Sequence, residues 1–173
     1  MNLRKFGAIS APTVLLATAF VAGLFIASGL AASALAKFNI EKLSPTIWGK
    51  GKFAEMIVAS GPHKTLYLAG MTPYDENQTA NVLLNPGDLY GQCMHEYDRI
   101  KKLLALKGAT LENVVRSTVY LVNRDADTRA GLRKCRADSY GAIQQPADTM
   151  VFVSGLAGDG QLLEVDIQAV VSE

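Results

Sequence analysis

The run Val114-Val115-Arg116-Ser117-Thr118-Val119-Tyr120-Leu121-Val122 is the most β-branched stretch of the chain. Side chains of that kind suit the pleated, half-buried surface of a strand. Helical spacing stands on both sides of it. Upstream, apolar residues recur at Leu89, Cys93, Tyr97, Ile100, Leu103 and Leu104, which gives a helix one buried face. Asp88 is placed to cap its first turn, and Gly108 to stop it. Downstream, Asp125 to Tyr140 reads as a second helix with Leu132 and Cys135 on one face. A strong strand between two one-faced helices requires a sheet on which both helices can bury their apolar stripes.

The remaining strands fit that frame. Glu55 to Ser60 and Thr65 to Ala69 read as two short strands, and the turn residues Gly61-Pro62-His63-Lys64 between them predict a hairpin. Tyr74 to Pro86 is a polar loop. Thr149–Val153 and Leu162–Val171 are the last two strands, joined by the glycine-bearing turn Ser154–Gln161. The predicted order is ββαβαββ, an α+β two-layer sandwich in which one mixed sheet carries two helices on one face. Residues 37–52 read as a polar lead-in over the surface, and residues 53–173 as the domain proper.

Residues 1–36 differ in kind. They hold no Asp or Glu, their only charges are Arg4 and Lys5, and two thirds of them are apolar. A basic start, an uncharged stretch and the closing Ala34-Leu35-Ala36 read as a signal peptide cleaved after Ala36, leaving a periplasmic or secreted protein. The alternative is a retained N-terminal membrane anchor, since the uncharged stretch is long enough to span a bilayer. The globular part then still lies outside the cytoplasm, and the membrane is met only through this segment.

Composition excludes several kinds of chemistry. A formal net charge of +1 argues against a nucleic-acid partner held by a basic face. The two histidines and two cysteines form no recognised metal spacing, and no Gly-x-Ser-x-Gly occurs. The expectation is no metal. The glycines from Gly155 to Gly160 lack the helix and Lys-Ser/Thr of a phosphate loop, so they read as a hairpin turn. Cys93 and Cys135 fall on the inward faces of the two helices, and are either a helix–helix disulfide or two buried thiols.

The stretch Lys107-Gly108-Ala109-Thr110-Leu111-Glu112-Asn113-Val114-Val115-Arg116-Ser117-Thr118-Val119-Tyr120-Leu121 resembles the RidA (YjgF) family. Tyr67-Leu68-Ala69-Gly70-Met71-Thr72-Pro73 is similar to that family's strand-ending Ser-Gly-Gln-x-Pro. Gln92 matches a helix glutamine, and Glu164-Val165-Asp166-Ile167-Gln168-Ala169 is similar to the closing Glu-x-Glu-Ala strand. The similarity runs from about Phe53 to Val171. It implies a chorismate-mutase-like protomer, a homotrimer and a small-molecule cleft at each subunit interface. It also implies cofactor-free hydrolysis of enamine and imine intermediates to a carbonyl product and ammonia, with Glu164 as candidate catalytic group and Gly70, Met71, Gly131 and Asp148 lining the cleft.

Several of those positions depart from the family pattern. Pro146-Ala147 is followed by Asp148, where the family carries the arginine that clamps the substrate carboxylate. Loss of a charged hydrogen-bond partner costs roughly 1.5–3 kcal/mol before any repulsion is counted. Met71 replaces a glutamine, Met56 a tyrosine and Gly131 an asparagine. The resulting expectation is an exported RidA-like trimer that binds a small metabolite, or a cation drawn by Asp148 and Glu164, without the usual 2-imino acid deaminase chemistry. The alternatives are an enamine/imine deaminase acting on a non-standard substrate and a non-catalytic structural or interaction trimer. Another arginine (Arg116, Arg129, Arg133 or Arg136) is available to serve the cleft.

Overall fold

The computed structural model describes residues 37–80 and 82–173. The segment 1–36, read above as a signal peptide or anchor, lies outside the described residues. Among the described residues, no helix is long and apolar enough to cross a membrane.

The elements are β1 (Asn39–Leu43), β2 (Met56–Ser60), β3 (His63–Tyr67), α1 (Leu89–Ala105), a 3₁₀ turn (Leu111–Asn113), β4 (Val114–Leu121), α2 (Ala126–Tyr140), β5 (Ala147–Phe152) and β6 (Leu163–Ser172). The α+β class expected from the sequence is present, with one strand more. β1 lies inside the predicted lead-in, whose Asn39-Ile40-Glu41-Lys42-Leu43 carries little hydrophobic signal. It pairs antiparallel with β2 as a separate two-stranded sheet.

The main sheet has the order β3-β6-β4-β5, with β4 parallel to β5 and antiparallel to β6, and β6 antiparallel to β3. Both predicted hairpins are therefore replaced. β2 pairs with β1 and β3 with β6. Gly61 takes a positive φ of 76°, and a Cβ there would collide with the Lys37 carbonyl. Pro62 cannot adopt the positive φ that a type I′ hairpin turn needs at its second position. The chain therefore turns from one sheet into the other. The glycine-bearing segment before β6 is a crossover too, because β4 lies between β5 and β6.

β4 earns its central place by alternation. Val114, Ser117, Val119 and Leu121 are buried, as are Leu163, Val165, Ile167 and Ala169 of neighbouring β6. Onto this face α1 sets Cys93, Tyr97, Ile100 and Leu104, and α2 sets Leu132, Cys135 and Tyr140. Asp88 caps α1 by accepting from the Gly91 N–H, and Asp125 caps α2 by accepting from Thr128. Cys93 and Cys135 are joined as a disulfide with Cα atoms 6.2 Å apart. Of the two readings left open by the sequence, the crosslink is the one present. Its sequence separation of 42 residues corresponds to about 4 kcal/mol of unfolded-state entropy in the loop-closure treatment. Beside it, Tyr97 and Tyr140 meet edge to face with centroids 5.6 Å apart.

Candidate functional site

Strand parity decides which of the candidate residues meet. Asp148 on β5 lies beside Ser117 of β4, and Ser117 lies beside Ile167 of β6. Laterally neighbouring side chains share a face, so Asp148 points to the helix side. Glu164 lies beside Tyr120, three residues further along β4, and so points to the opposite side. Within one protomer the two carboxylates do not form one cation site.

On the helix side Asp148 is almost fully engaged. The Ser117 hydroxyl donates to its Oδ1 at 2.5 Å and Arg136 Nη1 donates to its Oδ2 at 2.6 Å. Arg136 comes from α2, on the same helical face as Leu132 and Tyr140. Both members of the ion pair are 11% exposed. Burial works against the Arg136 charge, but Tyr97 and Asp148 more than restore it, and its pKa lies above the ordinary arginine value. The negative charge read from the sequence at position 148 is thus matched within the protomer.

Around this pair opens a cleft of about 560 Å³ between the edge strand β5, α2 and the segment 48–53. Trp48, Lys52 and Phe53 of that segment and Arg129 and Arg133 of α2 line it, with Leu132 and Met150 contributing apolar surface. Trp48 meets Phe53 edge to face at 4.9 Å and remains 67% exposed. Of the four arginines named in the sequence, Arg129, Arg133 and Arg136 line this cleft. Arg116 lies on the other face, where its Nη2 donates to Thr149 Oγ1 at 2.6 Å. The wall Trp48–Phe53 was not singled out in the sequence, although an aromatic pair among lysines was there to be seen.

The other face carries Gly70 and Glu164, which the structure does bring together. A Cβ at Gly70 would collide with Glu164 Oε1, so glycine is what lets this carboxylate lie against the chain after β3. Gln161 Nε2 donates to Glu164 Oε2 at 3.1 Å. Met71 is elsewhere: it bridges to Val165 and is 4% exposed within the core. Gly131 faces α1, where a Cβ would stand 3.0 Å from Leu89 Cδ2, and it does not line the cleft beside Asp148. Met56, on β2, is 52% exposed.

Two buried polar residues of α1 were missed or undervalued. Gln92 spends its whole side chain on two loops: Nε2 donates to the carbonyls of Gly160, before β6, and Asn85, before α1, and Oε1 accepts from the Leu162 N–H. One turn on, Glu96 is fully buried and neither of its carboxyl oxygens has a partner. Burial first, and then the Glu164 charge, push its pKa well above the usual carboxyl range, while Arg99 partly offsets them. Among the described residues there is no cluster of His, Cys, Asp and Glu able to hold a metal ion.

Comparison with known proteins adds the following. The family model described as Endoribonuclease L-PSP matches residues 50–171. The crystal structure of YyfB from Yersinia pestis, described as a protein of unknown function of the conserved Rid protein family, is similar at 25% identity with a TM-score of 0.67. That match covers 77% of this chain and 99% of that one. YyfA from the same organism is 23% identical with a TM-score of 0.55, covering 77% of this chain and 100% of its own. Yeast Mmf1 is 21% identical with a TM-score of 0.53, over 78% and 100%. The last two bear on fold alone. Among the curated proteins, none matches the sequence.

Proposed function

This chain belongs to the Endoribonuclease L-PSP family, the RidA/YjgF family, and on that premise we propose that it is an exported, trimeric small-molecule-binding member that lacks the usual 2-imino acid deaminase chemistry. One observation carries the reading. The residue at the family's clamp position, Asp148, is bound to Ser117 and Arg136 within its own protomer. It therefore offers no cation to a substrate carboxylate. Glu164, the candidate acid, lies across the sheet from it. Within one protomer the two positions do not converge on one substrate, and across a subunit interface Asp148 would still bring an acid rather than a guanidinium to a substrate carboxylate.

The cleft itself supports binding. Its volume of about 560 Å³ suits a small ligand, and it combines apolar walls with a few polar groups. For the trimer, support comes from the family and from the uncovered second face of the main sheet, where Tyr67 is 76% exposed. For export, support comes from the acid-free apolar segment 1–36 and from a disulfide of the kind that persists in oxidising compartments.

The deciding experiment generates 2-aminoacrylate in situ with the purified protein and follows keto-acid and ammonia release. The expected result is no acceleration over buffer. Turnover abolished by Glu164→Ala sinks the reading and establishes the deaminase alternative. A thermal-shift panel of metabolites then separates binding from a purely structural role, since a ligand held by the folded state raises Tm saturably. Light scattering in solution tests the trimer.

A further inference from the structure

We propose that the cleft beneath Trp48 is a site for a phosphate monoester, or a comparable dianion, carried on a planar aromatic body. The proposal rests on the metabolite-binding reading above and narrows it to one class of ligand. Charge is the first argument. Asp148 is the sole acidic residue lining the cleft, and Arg136 neutralises it at 2.6 Å. Arg129, Arg133 and Lys52 line the same space. None of them stands in an ion pair among the described residues. The cleft thus holds an excess of three positive charges that the protomer leaves unmatched. A monocarboxylate answers one of them. A dianion with three acceptor oxygens answers more, and Arg129 and Arg133, one helical turn apart on α2, present two guanidinium forks on one helix face.

A buried donor points the same way. Arg136 Nε is buried and has no acceptor, although its Nη1 is bound to Asp148. Buried donors are normally paired, and a small shift of the Arg136 side chain, which lines the cleft, lets an oxygen-rich ligand group supply the missing acceptor. The third argument is shape. Inorganic phosphate alone leaves most of about 560 Å³ empty. Trp48 keeps 67% of its surface uncovered, with Phe53 against its edge at 4.9 Å and Lys52 5.9 Å from its ring centroid. An indole held in place by a second aromatic is a platform for a planar group. The basic groups of α2 and the Trp48 indole line the same space, so one ligand carrying both an anion and a planar body can meet both.

Trp48 is the only tryptophan in the chain, so its fluorescence reports on this site alone. The full-length protein is titrated, at constant ionic strength, with adenosine 5′-monophosphate, adenosine, inorganic phosphate and benzoate. Adenosine monophosphate should quench Trp48 saturably and bind at least about tenfold more tightly than each of the other three. The double variant Arg129→Ala/Arg133→Ala should raise its Kd by about tenfold or more at unchanged Tm, because neither arginine is part of an ion pair. Lys52→Ala should weaken binding in the same direction.

Benzoate binding as tightly as the nucleotide overturns the dianion class while leaving a metabolite site in place. A short single-stranded oligoribonucleotide binding far more tightly than the mononucleotide overturns the small-ligand class. Saturation of none of these probes, by fluorescence and by calorimetry, overturns the proposal, and a thermal-shift panel equally without response takes the metabolite-binding reading with it.

Discussion

Asp148 and Glu96 are two carboxyls taken out of water on the helix side of the same domain, and the protein treats them in opposite ways. Asp148, on the edge strand β5, receives a hydroxyl and a guanidinium within 2.6 Å. Glu96, in the middle of α1, receives nothing, and burial first and then the Glu164 charge push its pKa well above the usual carboxyl range. The first arrangement is a satisfied ion pair beside a cleft. The second is an unsatisfied group that costs stability, because buried polar atoms without partners forfeit their hydration. The sign of a residue in a sequence therefore says little about the field it projects. Partners determine that.

The largest effect should come from breaking the satisfied pair. Arg136→Met leaves Asp148 buried with the Ser117 hydroxyl but no countercharge, and should lower unfolding free energy by about 3–5 kcal/mol in urea titration. Asp148→Arg should be destabilising for the mirror reason, with two guanidinium groups facing each other. The exchange Asp148→Arg/Arg136→Asp should recover a large part of the loss, and it is the cleaner way to place an arginine on β5. No recovery in the exchange variant would show that the pair is not an interchangeable charge match.

Next comes the orphaned acid. A raised folded-state pKa means that the folded protein holds the Glu96 proton more tightly than the unfolded chain. Its contribution is complete below about pH 4.5, the ordinary value. Stability from this group is lost as pH rises from there through the folded-state value. Glu96→Met should remove that decline and raise stability at neutral pH by about 1–3 kcal/mol, read as Tm against pH for the two proteins. Parallel pH profiles would show that Glu96 is partnered in solution.

The smallest change should follow Lys134→Ala. That residue pairs with Asp138 at 2.8 Å on the exposed face of α2, the same helix as Arg136. Solvent screens such pairs, so Tm should stay within experimental error. A clear drop would erase the distinction between the exposed and buried charges of one helix.

Much of this was legible in the residues. Asp88 and Asp125 cap their helices where a short acceptor precedes an apolar period, and the β-branched run around Val119 is the centre of the sheet. The Cys93 and Cys135 faces were both readable, and the crosslink joins them. What escaped depends on pairing between distant segments. β1 has no pattern of its own and is a strand because β2 offers it a ladder. Both hairpins were inferred from turn residues, yet the partners of β3 and β5 lie far along the chain.

The site shows the same division. That Asp148 and Glu164 face opposite ways follows from the registers with Ser117 and Tyr120, which no local spacing reveals. Arg136 was within reach: it stands four residues after Leu132, on the face already assigned to the core. An arginine on such a face calls for an acid, and Asp148 was the acid that lacked an explanation.

The Cys93–Cys135 bond joins helix to helix rather than helix to sheet. Cooperative opening in such a layer is collective: one helix cannot swing away while the other holds its place, so both leave the sheet together or neither does. Amide exchange should accordingly sort α1 and α2 into one unit with a common opening free energy, and reduction should divide it into two.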